Sequence, residues 1–477
     1  MEIPKQGVSK EAILKTLEAY KEDDLPWRSG RVMGYVYDPG EEAAEAAREA
    51  YMLYLGENAL DPTAYPSAMR LEREVVRMVI NLLRGEETVV GNMTSGGTES
   101  VMLAMKTARD WARSVKPQIQ EPEMVLARTA HPSFLKACHY FNIKPVIVGF
   151  DQETFHADVE AMRGAINGNT IILAASAPGY AQGVVDPIEA LGELALEHDL
   201  WLHVDGCVGA LHLSFMRKAG YAVPPFDFTV PGVTSISTDM HKFGYAPKNA
   251  SVVMYRNKEL RKHQIFSCLR TTTYALVNPT ILSTKTAGPM AGSWAILKHL
   301  GEEGYVEIVR EVQEATQKLV DGIDAMEDFR VLGKPDMSVF SFTSGTLNLF
   351  QVADEMKIRG WYLQPQFSTA ISPYNLHITV NRSGAPHAEA LLEDLRAAVE
   401  TVKSDYESMD VEVIREQVGM MLQSAEGVPS EQILAMGGLT GTALPDSSMA
   451  LINSVLECLP DDVAEDMLSG YLNDLFQ

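Results

Sequence analysis

Lys242 is the first residue that could do chemistry. The stretch TSISTDMHKFGYAPKNASVVMY, residues 234–255, delivers His241 and Lys242 from a strand-like run into an aromatic, glycine-containing turn. A lysine leaving a strand end can point into a cleft, where its amine can attack a carbonyl. Upstream, LHVDGCVGA places Asp205 at the end of an apolar run. A carboxylate there is partly desolvated and needs a cationic or hydrogen-bonding partner, and a protonated ring nitrogen is such a partner. Earlier still, Ser95, Gly96, Gly97 and Thr98 make a tight turn directly ahead of an amphipathic helical stretch. Free backbone N–H groups and the helix dipole favour a phosphate at such a turn. The glycines are not followed by the GK[ST] of a nucleotide P-loop. His131, in TAHPSFLKACHYF, follows a strand-like run and could lay its imidazole on a flat heterocycle.

Taken singly, each residue has an ordinary explanation. Most lysines are solvated, a strand-end aspartate also serves as a helix cap, glycine–serine turns precede many helices without an anion, and an isolated histidine more often has a structural role. The conjunction is different. A phosphate turn, a stacking histidine, a strand-end aspartate and a strand-end lysine come in that order, each at the expected end of an alternating pattern, and four independent coincidences are improbable. Together they point to pyridoxal 5′-phosphate (PLP) held as a Schiff base on Lys242.

Positioning four such groups requires a sheet. From about residue 88, short apolar runs (MVLAR at 124, PVIVG at 145, TIILAAS at 170, WLHVD at 201, TSIST at 234, SVVMY at 251) alternate with stretches of helical period such as VMLAMKTARDWARS and IEALGELALEHD. This alternation is the pattern of a sheet covered by helices on both faces. Residues 9–22 and 41–55 carry strong helix formers at helical spacing and are expected to pack over something larger. After a long helical stretch beginning GPMAGSW, the pieces FRVLG, SVFSF, LNLFQV and LHITV read as strands of a smaller α+β domain. The expected organisation is a helical segment over 1–85, a cofactor-binding α/β domain over 86–300, a small α+β domain over 301–402 and an acidic helical extension over 403–477, the last broken by GVPSEQ, GGLTGT and the Pro445–Asp446 turn.

Composition excludes several classes of function. Over 477 residues, 64 acidic side chains against 40 basic give a formal charge of −24, which repels phosphate backbones and anionic lipid surfaces. Nucleic acid and membrane surfaces are therefore not expected as partners. No apolar run approaches the roughly 20 residues that span a bilayer, and the start, MEIPKQGVSKEAILK, lacks a secretory pattern; the expected location is cytoplasmic. Cys138, Cys207, Cys268 and Cys458 lie far apart, with neither disulfide nor metal-ligand spacing, so no metal is expected.

The motifs TSGGTES, FDFTVPGVTSIS, HKFGYAPK and GEEGYVE resemble those of the PLP-dependent group II decarboxylase superfamily, and within it the sphingosine-1-phosphate lyase family, over nearly the whole chain. The resemblance implies an aspartate-aminotransferase-like fold (PLP fold type I), α/β, with a mainly parallel seven-stranded sheet and a smaller α+β carboxyl-terminal domain. It implies Lys242 as the Schiff-base lysine, Asp205 as the pyridine partner, His131 as the stacking histidine, Gly97 with Thr98 as the phosphate turn and His241 beside the phosphate. Tyr180, in SAPGYAQG, matches a tyrosine near the reacting centre, and Tyr37, Asn58 and Lys248 match residues of the substrate side. Departures concentrate on that side. Asp61 stands where the family carries a phosphate-binding histidine, Asp38 adds a second acid, Lys285 replaces an arginine and Asn249 a glycine.

The activity implied is cleavage of the Cα–Cβ bond of a β-hydroxy amine to an aldehyde and an amine. Amino-acid decarboxylation is the alternative, and a catalytically silent scaffold is a third possibility opposed by the intact Lys242 and Asp205. The resemblance further implies a homodimer with shared active sites, in which residues 278–288, with Thr284 and Lys285, reach the neighbour's cofactor phosphate.

Overall fold

Seven strands form the central sheet of the computed structural model, which describes residues 2–61, 63–272, 274–405, 411–424 and 449–476. They are β1 (Val90–Thr94), β2 (Glu123–Ala127), β3 (Lys144–Val148), β4 (Thr170–Ser176), β5 (Trp201–Asp205), β6 (Val233–Asp239) and β7 (Ser251–Tyr255). Their spatial order is β1-β7-β6-β5-β4-β2-β3. Only β7 runs against its neighbours; the remaining pairs are parallel. The seven-stranded, mainly parallel sheet that the family resemblance implies is present.

Near-continuous apolar composition follows from burial on both faces. Every residue of β2, β4, β5 and β7 is buried, under helices that include Gly97–Val115, Ser133–Phe141, Ile188–Glu197 and Ala210–Lys218. The edge strand β3 has no buried position. In this architecture functional groups collect outside the carboxyl ends of the parallel strands. Asp205 and Asp239 are the last residues of β5 and β6, and the turn 95–97 follows β1.

A second sheet, antiparallel throughout, has the order β10-β11-β13-β12, built from β10 (Arg330–Val331), β11 (Val339–Thr343), β12 (Gln364–Gln366) and β13 (Asn375–Thr379). A hairpin of β8 (Phe266–Cys268) and β9 (Leu276–Asn278) stands apart. FRVLG, SVFSF and LHITV are strands, but LNLFQV is not. It opens the helix Leu349–Ile358, because the Asn348 side chain accepts the Phe350 N–H at 2.9 Å and caps the first turn, and Leu349, Val352 and Met356 then share a buried helical face. Strand β12 escapes a periodicity argument because it is short, polar and contains Pro365.

The helix Gly288–Asp324 is interrupted at Gly301, whose φ of 58° is a left-handed conformation suited to glycine. Its first turns lie close against the helix Glu41–Leu53: a methyl group added at Gly292 would stand 3.3 Å from the Ala47 carbonyl and 2.7 Å from Pro247. The preceding helix Lys10–Tyr20 buries no residue, contrary to expectation, and leaves Ile13, Leu14 and Leu17 exposed. Near the carboxyl end, helices Val411–Ser424, Ala450–Cys458 and Asp461–Asp474 share a small core of Val418, Val455, Leu459 and Met467. The expected breaks at GVPSEQ, GGLTGT and Pro445–Asp446 lie outside the described residues. Among the described residues, no helix is long and apolar enough to cross a membrane, and no group of three or more His, Cys, Asp or Glu side chains could hold a metal ion.

Candidate active site

At the carboxyl ends of β4, β5 and β6 lies a cavity of about 420 Å³ whose wall includes Ser95, Gly96, Gly97, Thr98, His131, Tyr180, Asp205, His241, Lys242 and Lys248. Residues far apart in the chain, each singled out for its chemistry, thus converge on one space. The glycine turn is a steric requirement. Gly96 has φ 155°, and a Cβ at Gly97 would lie 2.8 Å from Asp239 Oδ2. The first amides of the helix Gly97–Val115 have no intrahelical acceptor, and Glu99 takes the Ser95 N–H at 2.6 Å, leaving the Gly97 and Thr98 N–H groups for an anion. His241 stands beside this turn, its Cε1 3.9 Å from the Cβ position of Gly96, anchored by an Nδ1–H donated to the Ala250 carbonyl at 2.7 Å.

Asp205 is buried at the end of β5. Its Oδ1 accepts the Cys207 N–H at 3.0 Å and the Ser237 hydroxyl at 3.4 Å, which leaves Oδ2 for a donor arriving in the cavity. Burial alone would raise its pKa, but His131, Cys207 and Lys242 together hold it below the usual carboxylate value. His131 Nδ1 accepts the Ser133 N–H at 3.2 Å. Burial lowers the His131 pKa, with Asp205 opposing, so the ring is neutral and carries its proton on Nε2.

Lys242 Nζ lies 3.1 Å from Asp239 Oδ2, and His241 Nε2 lies 3.7 Å from the same oxygen. Neither Asp239 oxygen has a well-directed hydrogen bond among the described residues, so the pairing is one of charge. Burial would lower the Lys242 pKa, yet Asp239 above all, with Tyr37, keeps it above the ordinary lysine value. Asp239 was missed in the sequence, although the strand-end argument that selects Asp205 applies equally to the last residue of TSISTD.

The Tyr180 hydroxyl donates to Gln364 Oε1 at 2.7 Å, and its ring stacks on His377 at 4.3 Å. Burial raises its pKa, so it holds its proton. Gln364 and His377 belong to β12 and β13 of the second sheet, and nothing local in the sequence signals them. Beyond Lys248 and Asn249 opens a chamber of about 430 Å³ that also includes Tyr37, Asp38, Arg28 and Arg48. Lys248 Nζ stands 5.4 Å from the Tyr37 ring centre, and burial raises the Tyr37 pKa to about 12. Asn249, the departure from glycine, has φ 65°, a left-handed conformation that asparagine tolerates better than most residues.

Four expected site residues do not line the Lys242 cavity of this chain. Asp61 is exposed and its Oδ1 accepts the Thr63 N–H at 2.8 Å and hydroxyl at 2.6 Å, which lower its pKa. Asn58 Oδ1 accepts the Leu60 and Lys285 N–H groups at 3.0 and 3.1 Å. Thr284 lines a small separate hollow with Ser95, Glu99 and Asn249. Tyr37 belongs to the outer chamber. Lys285, the replacement for arginine, is committed to Glu72 at 2.7 Å.

The residues present fit PLP: a glycine cradle that a side chain would fill, a buried carboxylate with an oxygen to spare, and an amine between them. Comparison with known proteins agrees. Residues 36–344 match the pyridoxal-dependent decarboxylase conserved domain, and residues 393–474 match a carboxyl-terminal putative HTH domain of pyridoxal-dependent enzymes. Over 412 residues the chain is 43% identical to sphingosine-1-phosphate lyase of Oryza sativa subsp. japonica, covering 85% of this chain and 75% of that protein. It is 41% identical over 411 residues to the Arabidopsis thaliana sphingosine-1-phosphate lyase, covering 84% and 74%. Among solved structures, Burkholderia pseudomallei sphingosine-1-phosphate lyase superimposes with a TM-score of 0.80 at 35% identity, covering 90% of this chain and 98% of that one.

Proposed function

The chain belongs to the pyridoxal-dependent decarboxylase family, and from that premise we propose that it is a PLP-dependent carbon–carbon lyase of the sphingosine-1-phosphate lyase type, splitting a β-hydroxy amine into an aldehyde and an amine. The observation that carries this is the convergence of Lys242, Asp205, His131 and the 95–98 turn on one cavity, in a chain whose similarity to such lyases spans most of its length.

PLP, when bound, supplies an electron sink conjugated to the carbon that bears the substrate's amine. Lys242 would hold it covalently, the Gly97 and Thr98 amides with His241 would hold its phosphate, Asp205 Oδ2 would keep its ring nitrogen protonated, and His131 would lie against its ring. The protein selects the bond to be broken by orientation. His131 Nε2 and the Tyr180 hydroxyl both carry protons, so they orient the substrate as donors and do not take the β-hydroxyl proton. With the cofactor bound, a free Lys242 Nζ would be the acceptor for that proton, and Asp239, 3.1 Å away, would stabilise the resulting ammonium. Tyr37 and Lys248 read the substrate's far end in the outer chamber.

A second copy of the chain completes this reading. Phe266, Leu269, Tyr274, Val277, Ile281 and Leu282 are exposed, and a hollow of about 920 Å³ includes Val277 with Leu60, Met69, Met78 and Ile265; clustered exposed apolar side chains mark an interaction surface. A homodimer would cover it and bring Asn58, Asp61 and Thr284 toward the neighbour's cavity.

The test is product analysis. The purified holoenzyme, incubated with dihydrosphingosine phosphate and separately with a panel of L-amino acids, is expected to release a long-chain aldehyde from the first and no carbon dioxide from the second. Carbon dioxide without aldehyde would replace the lyase assignment with a decarboxylase.

A further inference from the structure

Behind Asp205, away from the cavity, β5 and β6 enclose a row of polar side chains with no access to water. Trp201, His203, Ser235 and Ser237 are all buried. The parallel register sets His203 opposite Ser235 and Asp205 opposite Ser237, and the two-residue period of a strand puts positions 201, 203 and 205 on one face with 235 and 237 beside them. Contacts run without a gap: Trp201 Nε1 to Ser235 Oγ at 2.7 Å, Ser235 Oγ to His203 Nδ1 at 2.8 Å, His203 Nε2 to Ser237 Oγ at 3.2 Å and Ser237 Oγ to Asp205 Oδ1 at 3.4 Å.

The chemistry of the two ends decides the direction of every bond between them. An indole N–H can only donate, and a carboxylate can only accept. Ser237 has one hydroxyl proton and places it on Asp205, so His203 Nε2 must carry a proton and donate it to Ser237 Oγ. A neutral imidazole protonated at Nε2 has a lone pair at Nδ1, which takes the Ser235 proton, and Ser235 Oγ accepts from Trp201. Cys207 Sγ, 3.2 Å from Ser237 Oγ, adds a second donor to that oxygen. His203 is neutral on independent grounds: burial lowers its pKa to about 4. Each bond in such a chain polarises the next.

We propose that Trp201, Ser235, His203 and Ser237 form a one-directional chain of hydrogen-bond donors that ends on Asp205 and holds its buried carboxylate ionised, so that His203 and Ser237 are positioning residues for recognition of the cofactor's ring nitrogen. The proposal rests on the reading that Asp205 meets a protonated pyridine nitrogen. A chain ending in a donor at Ser237 favours the charged form of Asp205. Reversing it, or removing its last member, favours a protonated carboxyl, which would hold a pyridinium weakly.

The experiment compares two ligands on the apoprotein: PLP and 1-deazapyridoxal 5′-phosphate, in which a C–H replaces the ring nitrogen. Both keep the aldehyde and phosphate, so the ratio of their dissociation constants isolates the ring-nitrogen contact, and a general loosening of the fold does not move it selectively. The wild type is expected to prefer PLP. Ser237→Ala and His203→Phe are expected to reduce that preference at least tenfold by weakening PLP alone, while Ser237→Thr, which keeps the hydroxyl, retains it. Asp205→Ala is measured alongside. If Asp205→Ala abolishes the preference but Ser237→Ala and His203→Phe leave it at the wild-type value, the donor chain is refuted and the role of Asp205 stands. If Asp205→Ala itself leaves the preference unchanged, both are overturned. Should His203→Phe fail to fold, Ser237→Ala, which removes one oxygen, decides alone.

Discussion

Asp239 Oδ2 stands 3.1 Å from Lys242 Nζ, an ion pair between the last residue of β6 and the amine three residues on. Asp239 is almost fully buried and Lys242 mostly so, and the pair holds the amine charged before a cofactor arrives. A charged amine is no nucleophile, so if Lys242 is the amine that captures PLP, Asp239 should set the pH at which it does so. Because the Lys242 pKa is raised by Asp239, the wild-type apoprotein should capture PLP faster as pH rises through the alkaline range. Asp239→Asn removes the raising charge and leaves the lowering effect of burial, so the profile should move to lower pH and capture at pH 7 should quicken about tenfold or more, one pKa unit being a factor of ten in the neutral fraction. Stopped-flow absorbance at the band of the lysine-bound cofactor measures it, and an identical pH profile in the variant would exclude the assignment.

Lys242→Ala should abolish turnover and the visible band together if Lys242 forms the imine, because the cavity's other amine, Lys248, is turned to the Tyr37 ring at 5.4 Å. The same change leaves Asp239 buried without its counter-charge. Breaking a buried pair from one side costs roughly 3 kcal/mol, so the apoprotein should melt several degrees lower. The double variant Lys242→Ala/Asp239→Asn should recover much of that loss while remaining inactive. Calorimetry of the three apoproteins checks this; a single variant as stable as wild type would show that the pair contributes nothing.

Tyr180→Phe removes the donor to Gln364 and the hydroxyl proton that Tyr180 holds in the cavity wall, where the proposed function places the reaction. A positioned proton donor typically contributes about 10² in rate, so kcat should fall by roughly that factor with a smaller change in KM. Burial raises the Tyr180 pKa, so its deprotonation should leave no step in the wild-type rate profile between pH 6 and 9. A rate within twofold of wild type would remove Tyr180 from the mechanism.

Asp61→His bears on the substrate's far end. If Asp61 reaches the neighbouring copy's chamber, replacing a carboxylate by a donor that can be positively charged should lower KM for dihydrosphingosine phosphate several-fold and leave kcat unchanged. Two unit charges about 4 Å apart interact by roughly 4 kcal/mol at an effective dielectric near 20, before desolvation. An unchanged KM would place Asp61 outside the substrate's path, as its bonds to Thr63 would then explain in full.

Much of this protein is legible without coordinates, for a physical reason. Strand ends, helix starts and glycine turns are local events written in a few adjacent residues, so the Lys242 turn, the end of β5 at Asp205 and the 95–98 turn can be located from residue type and period alone. Six of the seven central strands coincide with apolar runs, and for all of these but the edge strand β3 burial under the covering helices demands it. What the sequence could not supply is how residues distant in the chain meet across sheets and domains. LNLFQV became a helix through one capping contact that periodicity in six residues cannot outweigh. Tyr180 finds Gln364 across 184 positions, and Asp205 finds Ser237 only because β5 and β6 pair in one particular register; a slip of one residue would turn Ser237 to the opposite face. The position of each reactive group is thus a local property of the chain, whereas its protonation and its partners belong to the tertiary structure, since charge in a buried site depends on every group packed around it.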